Sequence, residues 1–224
     1  MPLLEKASRQ REAGEGMPPA PSQGSVTTVP EKSRAERRAS FDVADFPMPT
    51  GREEDWRFTP MDRIGTLLRD TPSGAHLAVD TELPPGVTLT SIPSARARAL
   101  GVPAPQDRAA VLAFAHTDHS GGVMHLQIPA DTVIADPVRI RFVGSHSERV
   151  WGHLVISVGA HSNVTIVVSH EGTARLSEMV STLVGDGAQC TLVSLQEWSS
   201  DTIHAAQHDV VVGRDASVRH VAVT

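Results

Sequence analysis

Apolar and polar residues alternate with period two along much of the second half of the chain. Leu154, Ile156 and Val158 share one parity, as do Val164, Ile166 and Val168. These runs are rich in β-branched residues, so they predict strands instead of helices. The pattern also repeats. Val158-Gly159-Ala160-His161-Ser162-Asn163-Val164 is echoed by Val184-Gly185-Asp186-Gly187-Ala188-Gln189-Cys190. It returns as Val212-Gly213-Arg214-Asp215-Ala216-Ser217-Val218, with the glycines 26 and 28 residues apart. Repeats of this length point to stacked units sharing one interior. The predicted fold is mainly β: a parallel β-helix whose glycines supply unusual corner dihedrals, with Ser162, Ala188 or Ala216 on the tight inside. An antiparallel jelly roll of short, regularly spaced strands is the alternative.

Upstream of the repeats, periodicity predicts strands at Val123–Ile128, Thr132–Ile134, Val138–Val143 and Val150–Val158, with short candidates at Leu77–Val79 and Val87–Leu89. Gln106–Ala115 is the best helix candidate. Gly51–Pro60 predicts a short helix opened by Glu53, Glu54 and Asp55, which favour the positive end of its dipole, with Trp56 as anchor. A second is predicted with Thr59 as N-cap, Pro60 at the first helical position, and Met61, Ile64, Leu67 and Leu68 as its apolar stripe. Residues 1–38 are predicted to be a disordered, Pro/Gly-broken tail. Residues 39–128 form a helical and mixed N-terminal region, and 129–224 the β-helix core. Val218–Thr224 reads as a strand without a closing element, so the expectation is a truncated core or an end covered by another chain.

Composition narrows the function. The 224 residues carry a net charge of −6, no tyrosine and one cysteine. A mildly acidic chain gives no basic face for nucleic acid or anionic membrane. The single cysteine excludes an internal disulfide and fits a reducing, cytoplasmic setting. The N-terminus lacks the apolar region of a signal peptide. His116, His119 and His125, with Asp118, lie close in sequence, but spacing fixes no further ligand and exposed loop histidines are the simpler expectation. His161, His208 and His220 are expected at the surface. Glu53 and Glu54 are expected as solvated acids, not an acid/base pair. Cys190 falls in the column of Val164 and Val218. It is expected to point inward as a small hydrophobe with a raised pKa. No phosphate loop, nucleophile elbow or Ser/His/Asp set is present. No catalytic, cofactor-binding or metal residue is assigned.

The stretch Arg52-Glu53-Glu54-Asp55-Trp56-Arg57-Phe58-Thr59-Pro60 resembles the RxExWR(F/Y)TP motif of the SufB/SufD family, and of SufD in particular. Ala39–Val43, Pro137–Ile140, Gly152–Leu154, Trp198–His208 and Arg219–Thr224 extend the likeness to the end of the chain. The resemblance implies a helical N-terminal region, a right-handed parallel β-helix and, in the family, a C-terminal helical region. It implies a non-catalytic scaffold subunit of the SUF iron–sulfur assembly machine, acting with SufB and the ATPase SufC. The nascent cluster would belong to the complex, with no cofactor on this chain alone. The chain resembles roughly the N-terminal half of a SufD. On that resemblance, the family's cluster-site histidine and SufC-docking helices are expected in the later part, beyond the likeness, and no such residue is assigned here. Two other classes stay open: a β-helix carbohydrate-active enzyme, which needs carboxylates stacked on successive coils where only isolated Asp186 and Asp215 stand, and a cupin-like metal-binding jelly roll using the histidines.

Overall fold

A computed structural model describes residues 37–224. The expected disordered tail lies outside the described residues apart from Arg37 and Arg38. In chain order the described α-helices and strands are α1 (Met61–Ile64), β1 (Ala78–Glu82), β2 (Thr88–Ile92), α2 (Ser94–Ala99), α3 (Arg108–His116) and β3 (Val123–Ile128). They continue with β4 (Val138–Val158), β5 (Asn163–Val184), β6 (Gln189–Trp198), β7 (Ile203–Val212) and β8 (Ser217–Val223). The helix expected at Gly51–Pro60 is a 3₁₀ turn over Glu54–Trp56.

The long strands bend and contribute to two faces each. One face stacks the first halves of β4 and β5 with β6 and β8, in the register Val138↔Ile166↔Leu192↔His220. The other stacks β3, the second halves of β4 and β5, and β7, in the register Leu126↔Ile156↔Thr182↔Val210. Every one of these pairings is parallel. Among the described residues, antiparallel pairing occurs only at the base, where β1 lies under β4 and β2 under β3. Consecutive coils stacked in parallel make a β-helix and rule out the jelly roll, and the cupin with it.

Two apolar layers follow from strand parity. Inward side chains such as Ile140, Ile156, Ile166, Val180 and Leu192 fill the lumen. Outward Trp151, Val155 and Met179 are covered by Leu112 and Phe114 of α3, with Ala97 of α2. Asp107 caps α3, accepting from Ala110 N at 2.8 Å, so that helix starts two residues later than expected.

The corners repeat as expected but by a different mechanism. Gly159, Gly185 and Gly213 are needed for close approach, not for a left-handed φ. A Cβ at Gly159 would lie 2.3 Å from Ala130 N, and one at Gly185 would lie 2.7 Å from Ala160 N. Each glycine N–H instead donates to the coil beneath, as in Gly185 N to Val158 O at 2.8 Å. The positive φ falls two residues later, at His161 (57°), Gly187 (68°) and Asp215 (56°). Asp131 (56°) holds the same place one coil earlier. Asp and His tolerate that region better than most side chains.

Other expectations are corrected. Val138–Val143 and Val150–Val158 are one bent strand with a register shift between Ser145 and Arg149. Thr132–Ile134 forms only a bridge, Val133 to Asn163, and Val133 is exposed. The helix after Pro60 makes no side-chain cap with Thr59; Pro60 is itself the N-cap residue, and α1 tightens to a 3₁₀ turn over Gly65–Leu68. α2 was not anticipated.

Candidate functional site

Going up the helix, the lumen changes from apolar to polar. On the first face His170 stands over Phe142, and Gln196 over His170. On the second, Glu178 stands over Gly152, and His204 over Leu176. Parallel stacking therefore delivers polar side chains from β5, β6 and β7 to one buried point.

Glu178 is the centre of the cluster and 3 % exposed. His170 Nε2 lies 3.3 Å from Oε1, and His204 Nε2 lies 3.3 Å from Oε2, so each carboxylate oxygen meets its own imidazole. Trp198 Nε1 donates to Gln196 Oε1 at 2.7 Å. His204 Nδ1 lies 3.1 Å from the same oxygen. The Gln196 amide turns to Ser194 Oγ at 3.1 Å and to His170 Nδ1 at 3.4 Å. The His170 ring stacks on Phe142 at 5.1 Å and meets Trp198 at 5.3 Å. Burial by itself would raise the Glu178 pKa. Attraction to His170 and His204 and their hydrogen bonds outweigh it, holding the carboxyl well below its usual range.

Chemically this is a buried carboxylate clamped by two imidazoles, able to hold charge and orient rings. Among the described residues, no three His, Cys, Asp or Glu side chains form a group suited to a metal ion. Towards the upper coils, the His208 and His220 rings stack at 5.3 Å. Both are exposed, as expected, although their parity is that of the lumen.

The residues singled out in the sequence are dispersed. His116 pairs with Asp70 at 2.7 Å. Asp118 accepts from Ser94 N and Oγ at the start of α2. His125 meets Ser157 Oγ at 2.9 Å, and burial followed by Arg96 lowers its pKa. Glu53 is exposed and accepts from Thr50 N, Thr50 Oγ1 and Gly51 N; these bonds take its pKa to about 2. It braces a local turn, and Glu54 beside it is exposed. Asp186 is held by Arg214 at 3.0 Å, whereas Asp215 is an exposed corner residue. Carboxylates are not stacked there as a sugar-cleaving site needs. His161 is an exposed corner residue.

Cys190 is 3 % exposed, pairs in register with Val164 and Val218, and burial pushes its thiol up to about 11. Its inward placement is as expected. The Glu178 cluster was missed, although parity carried the signal. His170 continues the inward series of Val164, Ile166 and Val168, and Glu178 sits between inward Leu176 and Val180.

Residues 141–224 match the family model described as the SufBD core domain of SUF system FeS cluster assembly. These residues include most of β4 and all of β5 to β8. Iron–sulfur cluster assembly SufBD family proteins of Mycobacterium bovis and Mycobacterium tuberculosis are 32% identical over 193 residues, 85% of this chain and 48% of their own length. One from Mycobacterium leprae is 32% identical over 206 residues, 90% of this chain and 51% of its own. The chain spans about half the length of the curated relatives it matches. No solved structure matches it significantly. The resemblance to the SufB/SufD family is thus present in both the core domain and the curated relatives.

Proposed function

We propose, with this SufBD-family likeness as the premise, that the chain serves iron–sulfur cluster assembly as a SufD-like, non-catalytic scaffold. It works in the cytoplasm with a SufB-like subunit and a SufC-like ATPase. The nascent cluster is the complex's product and is not held by this chain alone. The observation that carries the proposal is the SufBD-core match over residues 141–224, the coils that bury Cys190. A thiol of pKa about 11, inside a column of valines, is a poor thiolate donor. A single cysteine also falls short of the several thiolates a cluster takes.

Co-expression of this chain, and of a version extended to the relatives' length, with SufB-like and SufC-like proteins tests the partnership. A stoichiometric complex on size-exclusion chromatography is expected for the extended version. Failure of both versions to bind either partner overturns the proposal. Anaerobic reconstitution of this chain alone with ferrous iron and sulfide is expected to leave no stable cluster spectrum. A stoichiometric cluster on the isolated chain would refute the absence of a bound cofactor.

A further inference from the structure

The register partner of Glu178 one coil below is Gly152, which brings no side chain. Leu176 and Glu178 close over it: a Cβ built there would lie 3.2 Å from Leu176 Cδ1 and 3.4 Å from Glu178 Cγ. Beside these side chains lies a cavity of about 170 Å³. Phe142, Leu154 and Leu176 wall it, all buried, and Glu178 lines it among them. Exposed His76 and Gly121 also line it and form the rim. The rim is open because β3 pairs with β4 only from Met124↔Leu154 onward. No described strand pairs beneath the preceding residues Val150–His153.

We propose that this cavity is a binding site for a small organic cation. An apolar body about the size of benzene packs against Phe142, Leu154 and Leu176, and an ammonium group donates to the Glu178 carboxylate. Size supports the body: a cavity of about 150 Å³ lined by Leu, Ile and Phe stays dry and admits benzene. Charge complementarity supports the head. Glu178 has only His170 and His204 as ion-pair partners among the described residues, one on each oxygen. A carboxylate has about four lone-pair positions, of which the two imidazoles take two. No Lys or Arg lines the cavity. A buried carboxylate disfavours an anionic guest for the same reason that it favours a cation. The site is independent of the assembly role.

Calorimetric titration of the chain with benzylamine, benzene and benzoate at neutral pH tests it. Benzylammonium is expected to bind about tenfold or more tighter than benzene, and benzoate not at all. Equal affinity for benzene and benzylammonium, or no binding by benzylammonium, overturns the proposal. Glu178→Gln is expected to remove the preference for the cation and leave benzene binding unchanged. Leu154→Trp, which extends a wall side chain into the space, is expected to abolish binding of both. If Leu154→Trp folds poorly, Leu154→Phe takes up part of the same space and must weaken both ligands. Unchanged affinity in Leu154→Phe would also overturn it.

Discussion

Cys190 stands one coil above Val164 in the same inward column, and Val218 stands one coil above Cys190. Val164 is 1 % exposed. Val164→Asp therefore places an unpaired carboxylate in a β-branched stack and is expected to cost several kcal/mol. Urea unfolding followed by circular dichroism measures it, and an unchanged midpoint would show that the column does not face inward. Cys190→Val, a near-isosteric apolar swap in that column, is expected to cost less than about 1.5 kcal/mol.

The corners make a second prediction. Gly185→Val drives a side chain into the backbone of Ala160, with its Cβ alone at 2.7 Å from a nitrogen. Overpacking of this kind costs about 1–3 kcal/mol or more. His161→Gly, at a left-handed residue of the same corner, is expected to change stability by less than about 1 kcal/mol. Differential scanning calorimetry on both variants decides it; comparable losses would mean that the corner strain is misplaced.

Glu178 makes stability acid-sensitive in a defined direction. Its folded pKa is depressed below the ordinary 4.5 by His170 and His204. Its contribution is therefore fully present above about pH 4.5 and fades as pH falls towards the folded value. Glu178→Ala, which strips both imidazoles of their acceptor, is expected to cost about 3 kcal/mol at pH 7. The gap between wild type and variant should close as pH drops below 4.5. A gap that stays constant to strong acid would disprove the ionised carboxylate.

His153 is buried on the outer side of β4, against Phe114 at 5.8 Å, with Nε2 3.2 Å from Ser181 Oγ and, among the described residues, no partner for Nδ1. Burial, opposed by the attraction of Glu178, lowers its pKa from 6.5 to about 4. The unfolded chain then binds the extra proton first, so stability falls as pH drops from 6.5 towards 4. The full depression corresponds to about 3 kcal/mol. His153→Leu should flatten the stability profile across that window by up to this amount. An identical slope in the variant would contradict it.

Much of this architecture was legible in the chain. Val123–Ile128 is a strand with the expected bounds, and the Gly159, Gly185 and Gly213 spacing located the corners, because alternation and period are local signals. The left-handed position was not legible. It falls on His161 and Asp215, residue types that also occupy ordinary turns and so do not mark the position by themselves. α2 was missed because its N-terminus is held by Asp118, 24 residues away from Ser94 in sequence. The candidate metal histidines looked clustered because they are near in sequence; β3 carries His125 away to Ser157 on the neighbouring coil.

By itself the sequence determined the coil: its period, its strands, and the inward parity shared by Val164, Cys190, His170 and Glu178. These follow from alternation and from which backbone positions tolerate a side chain. Only the tertiary structure decided which coil lies on which, and at what register. Register brought His170 of one face and His204 of the other to the two oxygens of Glu178, and it set that residue over Gly152. Side chains from strands distant in sequence meet only when parallel stacking fixes their height, and no local pattern encodes that height.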